Sequence, residues 1–227
     1  IVFPDIDWES AVKWTLLGFT LGAGQVCVSG TRLILHRSIY GRFLAHLKVE
    51  CEKMVPGDGF DCERGVNLPS LIHPDHAAQV WRYIEKAKAE GARLVTGGVP
   101  CSDPALAKGN FVPPTVFADV TPDMTIFREE IFGPVLAVTP FDTEQQAIDL
   151  ANDTPFGLAG AVFTSDCGRA LRVAEAIRAG QIYINTYYSK GMNESPAAGW
   201  KESGLGTAGI YKYMRSKTVF VEMNGRA

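Results

Sequence analysis

The chain has 227 residues, 46% hydrophobic and 21% charged, enough for one sizeable core without a disordered half. A formal net charge of -3 with scattered basic residues argues against nucleic acid or an anionic membrane surface as a partner, and no apolar stretch is long and charge-free enough to span a bilayer. Five cysteines, Cys27, Cys51, Cys62, Cys101 and Cys167, are odd in number and lack the paired spacing of a zinc site, so the expected setting is a reducing cytoplasm and no metal is expected.

The predicted elements alternate helix and strand. Asp7 through Leu21 reads as a helix, capped by Asp5 or Asp7, with Ala11, Val12, Leu16 and Phe19 at helical spacing. Gly22 and Gly24 end it, and Leu33 to Leu35 forms a buried strand. Ile39 to Met54 is an amphipathic helix stopped by Pro56-Gly57. Pro74 opens a helix to Glu90 that Gly91 closes before the strand 93–96. Thr143 to Ala151 is a helix before the strand 161–163, and Cys167 to Ala179 a helix before the strand 182–184. Repeated α-β units imply an α/β fold: a mainly parallel sheet flanked by helices. Thr218 to Met223 is a last, isolated strand with alternating character, expected to be unpaired within the chain and to dimerise it through Val219 and Val221.

One run concentrates unusual chemistry. In Gly22-Ala23-Gly24-Gln25-Val26-Cys27-Val28-Ser29-Gly30 a lone thiol sits on a glycine-rich turn between helix and strand, where a flat electrophile can approach it closely. Free cysteine is commonly a small buried hydrophobe, so the run gains meaning from a second one, Phe127-Arg128-Glu129-Glu130-Ile131-Phe132-Gly133-Pro134-Val135. Further pieces follow in order: Asn152-Asp153-Thr154-Pro155-Phe156-Gly157-Leu158, Gly180-Gln181-Ile182-Tyr183-Ile184-Asn185, Gly199-Trp200-Lys201-Glu202-Ser203-Gly204 and Lys217-Thr218-Val219. Together they resemble the aldehyde dehydrogenase superfamily nearly end to end.

The resemblance implies a fold of the aldehyde dehydrogenase catalytic domain and a reaction in which the Cys27 thiolate attacks a small-molecule aldehyde, giving a thiohemiacetal and then a thioester. It implies NAD or NADP as cofactor, with Glu130 accepting from the ribose hydroxyls and Phe132 packing near the nicotinamide. Glu129 reads as merely solvated. Gln25, Val26 and Val28 flank the thiol and are candidate pocket residues, as are Tyr187, Tyr188 and Met192 in the loop 186–195, while Lys190 and Glu194 would give it a polar end. Asn185 reads as a support for the loop backbone. Where the family commonly has Arg-Glu after Gly204-Leu205-Gly206, this chain has Thr207-Ala208-Gly209, so a proton-relaying glutamate is replaced by Ala208.

Ile1 in place of Met, and an opening Ile1–Asp7 that reads as chain interior, lead to the expectation of a C-terminal half: residues 1–209 a catalytic thiol domain, 210–227 a segment carrying an oligomerisation strand of a dimer or tetramer. The dinucleotide-binding domain, the glutamate base and an asparagine oxyanion donor of the family are expected upstream of Ile1. The half alone is then expected to be inactive. A CoA-acylating dehydrogenase and a non-catalytic dimerising module of the same fold remain alternatives. A cysteine hydrolase using His36, His46, His73 or His76 fits less well, since His73 and His76 flank Pro74 at a helix start.

Overall fold

A computed structural model describes residues 1–60, 65–106, 108–188, 199–203, 214–215 and 217–222. The chain forms two compact units: Ile1–Thr15, Ile34–Tyr40 and Pro140–Ala227 make one, Leu16–Leu33 and Gly41–Thr139 the other. Along the chain run α1 (Trp8–Thr20), β1 (Arg32–His36), α2 (Tyr40–Glu52), α3 (Pro74–Ala89), β2 (Arg93–Thr96), β3 (Thr115–Ala118), α4 (Thr125–Arg128), β4 (Val135–Phe141), α5 (Glu144–Asn152), β5 (Phe156–Gly157), β6 (Ala159–Val162), α6 (Cys167–Ala176), β7 (Gln181–Ile184), β8 (Trp200–Lys201) and β9 (Thr218–Val221). The sheets have the orders β1-β4-β3-β2, β6-β7-β9 and β5-β8. The pairs β3/β4, β6/β7 and β7/β9 are parallel, β2/β3 and β5/β8 antiparallel, so the expected mainly parallel α/β class is the observed one.

In the unit containing the thiol motif, β3 is buried along its whole length, and it pairs in register with β4 from Thr115↔Val135 to Phe117↔Ala137. The amide of Ala137 donates to Thr31 just before β1 (2.9 Å). α3 packs Ala77, Val80, Ile84 and Ala87 inward, the helical period made visible. His73 caps it, its Nδ1 accepting from the Asp75 amide at 3.2 Å, and Pro74 occupies the first turn, where no amide is needed.

In the other unit Phe3, Phe141, Val162, Val173, Ile182 and Ile184 lead a single apolar cluster. Asp7 is the residue that caps α1, accepting from Ser10 N at 3.1 Å. Asp5 instead accepts from Thr164 Oγ1 (2.8 Å), Ser165 Oγ (3.1 Å) and Arg169 Nη1 (2.9 Å). α6 stops at Ala176, three residues short of the expected end, because other groups take over its last turn. Lys217 Nζ donates to the carbonyls of Ala174, Glu175 and Ile177 at 2.6 to 2.7 Å, and the amide of Arg178 donates to Asn152 Oδ1 at 2.7 Å.

The expectation of an unpaired last strand is corrected. β9 adds to β7 in parallel, from Gln181↔Thr218 to Ile184↔Val221, because Phe220 stacks on Tyr183 with ring centroids 4.9 Å apart and Lys217 is anchored on α6. The expected division at 209/210 lies outside the described residues.

Candidate active site

The turn that carries Cys27 is built by leaving the helix with three successive left-handed residues: Gly22, Ala23 and Gly24 have φ of 58, 57 and 72°. Hydrogen bonds then close the loop, Ser29 N to Val26 O at 2.9 Å and Gly30 N to Gly18 O at 2.8 Å. Cys27 is exposed at the tip, and among the described residues its amide and thiol have no hydrogen-bond partner. An accessible sulfur beside an uncommitted N–H is an arrangement that can take an electrophile and stabilise the anion it forms.

The second motif meets this loop backbone to backbone. A Cβ added at Gly24 would collide with the carbonyl of Gly133, so the approach requires glycine at Gly24. Phe132, next in the chain to Gly133, has φ of 56°. For a bulky residue this left-handed conformation costs roughly 1–2 kcal/mol. It is held by His76, whose Nε2 donates to the Phe132 carbonyl at 2.8 Å, a bond worth about 1 kcal/mol net and so of the same size as the strain. The Phe132 ring stays half-buried, with its centroid 6.3 Å from that of His76.

α3 supports this whole segment along one face. His76 holds Phe132, a Cβ added at Gly133 would meet Val80 at 2.7 Å, and Tyr83 Oη donates to Glu129 Oε2 at 2.8 Å. Burial and the neighbouring Glu129 hold the Tyr83 phenol above its ordinary range. At the helix end, Glu90 accepts from the amide of Thr125 at 2.8 Å and its hydroxyl at 2.6 Å, closing the N-terminus of α4. Glu130 projects away from this framework: it is exposed and its carboxylate has no partner among the described residues. Both oxygens can therefore accept from a pair of vicinal hydroxyls.

Several expected pocket residues have other occupations. Gln25 spends its carboxamide on backbone: Oε1 accepts from Ile72 N at 2.9 Å, and Nε2 donates to Gly22 O at 3.0 Å and Ser70 O at 3.5 Å. Val28 is a core residue, 5% exposed. Val26 is half-buried against Gly22. In the other unit, Tyr187 is buried with its ring 5.3 Å from that of Tyr183, so packing accounts for it, whereas Tyr188 is half-exposed. Asn185 ties the backbone of Thr164, bonding both its amide and its carbonyl at 2.9 Å, where support of the loop 186–195 was expected. Met192, Lys190, Glu194 and the stretch Thr207 to Gly209 lie outside the described residues.

The sequence missed His76, Val80, Tyr83 and Glu90 as site-building residues and Glu129 as Tyr83's partner. Their spacing along α3 carried the signal, since positions 76, 80 and 83 share one helix face. No histidine reads as a base for Cys27: His36 and His73 cap helical turns, His46 lies 3.7 Å from Glu50, and His76 serves Phe132. A cavity of about 400 Å³ in the same unit is lined by Cys51, Glu52 and Cys101 among others, and includes neither Cys27 nor Glu130.

Comparison with known proteins points the same way. The chain is 47% identical over 225 residues to a betaine aldehyde dehydrogenase of Agrobacterium fabrum, covering 97% of this chain and 45% of that protein. It is 46% identical over 228 residues to one of Sinorhizobium fredii, covering 98% and 46%. Among solved structures it resembles a Staphylococcus aureus betaine aldehyde dehydrogenase in complex with NAD+, with a TM-score of 0.86 at 40% identity over 90% of this chain and 40% of that one. A Bacillus cereus aldehyde dehydrogenase variant matches at 0.84 and 36%, over 90% and 40%. The chain thus spans about half the length of the curated relatives it matches. The model of the aldehyde dehydrogenase family matches residues 1–219, and the chain belongs to that family.

Proposed function

We propose that this chain is the thiol-bearing part of an NAD(P)-dependent aldehyde dehydrogenase, acting together with a dinucleotide-binding domain. The observation that carries the reading is the apposition of two loops, one presenting an exposed Cys27 and the other an exposed Glu130 beside Phe132, both without a partner among the described residues, joined at Gly24 and Gly133. Names of relatives support a betaine-aldehyde-like substrate, and the NAD+ held by the Staphylococcus aureus protein supports NAD.

In this reading the Cys27 thiolate attacks the carbonyl carbon, forming the C–S bond of a thiohemiacetal while the Cys27 amide donates to the oxygen that takes up the charge; such a donor is worth about 3 kcal/mol in the transition state. Glu130 would hold the nicotinamide ribose and Phe132 would wall the ring. When bound, the nucleotide would supply the two-electron acceptor that oxidation of the thiohemiacetal to a thioester requires. Cys27 then carries the acyl group until water adds to its carbonyl carbon and the C–S bond breaks, releasing carboxylic acid and thiol. Release to an incoming CoA thiol in place of water is the second reading; Ala208, where the family commonly places glutamate, favours it by weakening proton relay to water.

The test is nucleotide reduction by the protein that holds this chain with its dinucleotide-binding domain. Cys27→Ala is expected to reduce aldehyde-dependent NAD(P)H formation to background, and Glu130→Gln to raise KM for the nucleotide about tenfold, the scale of a lost hydrogen bond to a charged group. Oxidation that persists in Cys27→Ala overturns the assignment. Acid release without added CoA in the wild type excludes the acylating alternative.

A further inference from the structure

One short run of chain reaches both motif loops. Ser70 and Ile72 are bonded to the Gln25 carboxamide in the thiol loop, and four residues on, His76 holds the strained Phe132 carbonyl. The run itself is stiff. Leu71 is 1% exposed, its amide donates to Asn110 O at 2.9 Å, and its carbonyl accepts from Asn110 Nδ2 at 3.3 Å; His73 caps α3 and Pro74 has a fixed φ. No chemical motif marks this segment.

We infer that Ser70–His76 is a bracket that sets the spacing between the Cys27 loop and the Glu130–Phe132 loop, with Gln25 and His76 as its two positioning residues. The inference rests on the dehydrogenase reading for its consequence, hydride transfer at a set distance, but the bracket itself is a property of this chain. Gly24 and Gly133 make the loops touch; contact between two glycines fixes closeness without direction, since neither contributes a side chain. The two side-chain ties supply direction from one rigid base. The Phe132 carbonyl can only accept, so His76 Nε2 is the donor of this tie.

The experiment compares wild type with His76→Leu, His76→Gln and Gln25→Leu by amide hydrogen exchange of the 227-residue chain, followed over residues 22–30, 127–135 and, as a folding control, 144–152. His76→Leu is expected to speed exchange in 127–135 about tenfold and Gln25→Leu in 22–30 by about the same factor, with the control unchanged. Glutamine places a donor near the position of Nε2, so His76→Gln is expected to stay within about twofold of wild type. In the complete enzyme the same series is expected to lower kcat about tenfold in His76→Leu, with recovery in His76→Gln. Unchanged exchange at 127–135 in His76→Leu, equal acceleration of the control, or no recovery by glutamine overturns the bracket. A wild-type enzyme that oxidises no aldehyde overturns the functional reading alone, since the exchange results still decide the bracket.

Discussion

Cys27 and Cys51 are the same residue in opposite surroundings. Burial pushes the Cys51 thiol up to about 12, with Glu52 and Glu50 adding to the effect, so it stays protonated until well above neutrality, whereas Cys27 is exposed. Iodoacetamide at pH 8 is therefore expected to label Cys27 and the exposed Cys167 and to spare Cys51 until the chain is unfolded. Peptide mass spectrometry reads this directly, and Cys51 labelling at the Cys27 rate in the folded chain would contradict it. Gly24→Ala should be severe for its size, because it adds a Cβ at φ of 72° against the Gly133 carbonyl. A loss of about 2–4 kcal/mol in urea unfolding is expected, combining left-handed strain with a backbone clash; a loss below about 0.5 kcal/mol, the range of ordinary surface substitutions, would mean the loops do not touch there. Both motifs were legible in the sequence because each is a contiguous run of unusual composition, a lone thiol among glycines and an acidic pair before Phe132-Gly133-Pro134, that needs no tertiary information to see. Their junction was not, because it depends on two backbones more than a hundred residues apart. The structural ties of Gln25 and Tyr187 were illegible for a related reason: polar or aromatic character suits a pocket and a structural tie equally, and the partner atoms come from distant residues.

At the level of elements, periodicity marked the helices but not how they end. α6 runs to Ala176 because Lys217, forty residues on, takes its terminal carbonyls and also lies 5.3 Å from the centre of the Trp200 ring. Replacing it by Met keeps the aliphatic stem and removes three donors; a loss of about 1–3 kcal/mol is expected, with retention of wild-type stability counting against the capping role. Asp5 ties the segment before α1 to the start of α6. Burial disfavours its charge, but the hydrogen bonds from Thr164 and Ser165 together with Arg169 outweigh this and hold the carboxyl below its ordinary value. A carboxylate lowered on folding contributes stability that is complete above the unfolded value of about 3.9 and is lost as pH falls through the folded one. Between pH 7 and pH 3 the urea midpoint of wild type should therefore drop more steeply than that of Asp5→Asn, and parallel slopes would remove Asp5 from the acid response. The sequence offered Asp5 and Asp7 as equivalent caps, since local spacing shows only that both can reach the helix start, whereas the partners that claim Asp5 come from residues 164–169.

At the level of the whole molecule, β9 is the element from which self-association is predicted. It lies at the end of the order β6-β7-β9, and the amides of Thr218 and Glu222 donate toward β7, so the alternate amides of Val219 and Val221 point away from it. Val219 and Val221 are themselves 38% and 43% exposed, an apolar pair on an edge strand, and such edges invite pairing. Covering each valine is worth only about 1 kcal/mol, so four in a symmetric pair supply about half of the roughly 8 kcal/mol that a micromolar dimer requires. Backbone pairing along the β9 edge must provide the remainder, which predicts an edge-to-edge dimer and not a loose apolar contact. Light scattering of the purified chain at tens of micromolar should give twice the chain mass, and the double variant Val219→Lys, Val221→Lys should give the single mass with an unchanged circular dichroism spectrum, because charge at outward positions opposes a second strand without disturbing the register with β7. A monomeric wild type would leave β9 as an edge strand that pairs only with β7, and a double variant that still dimerises would move assembly to another surface.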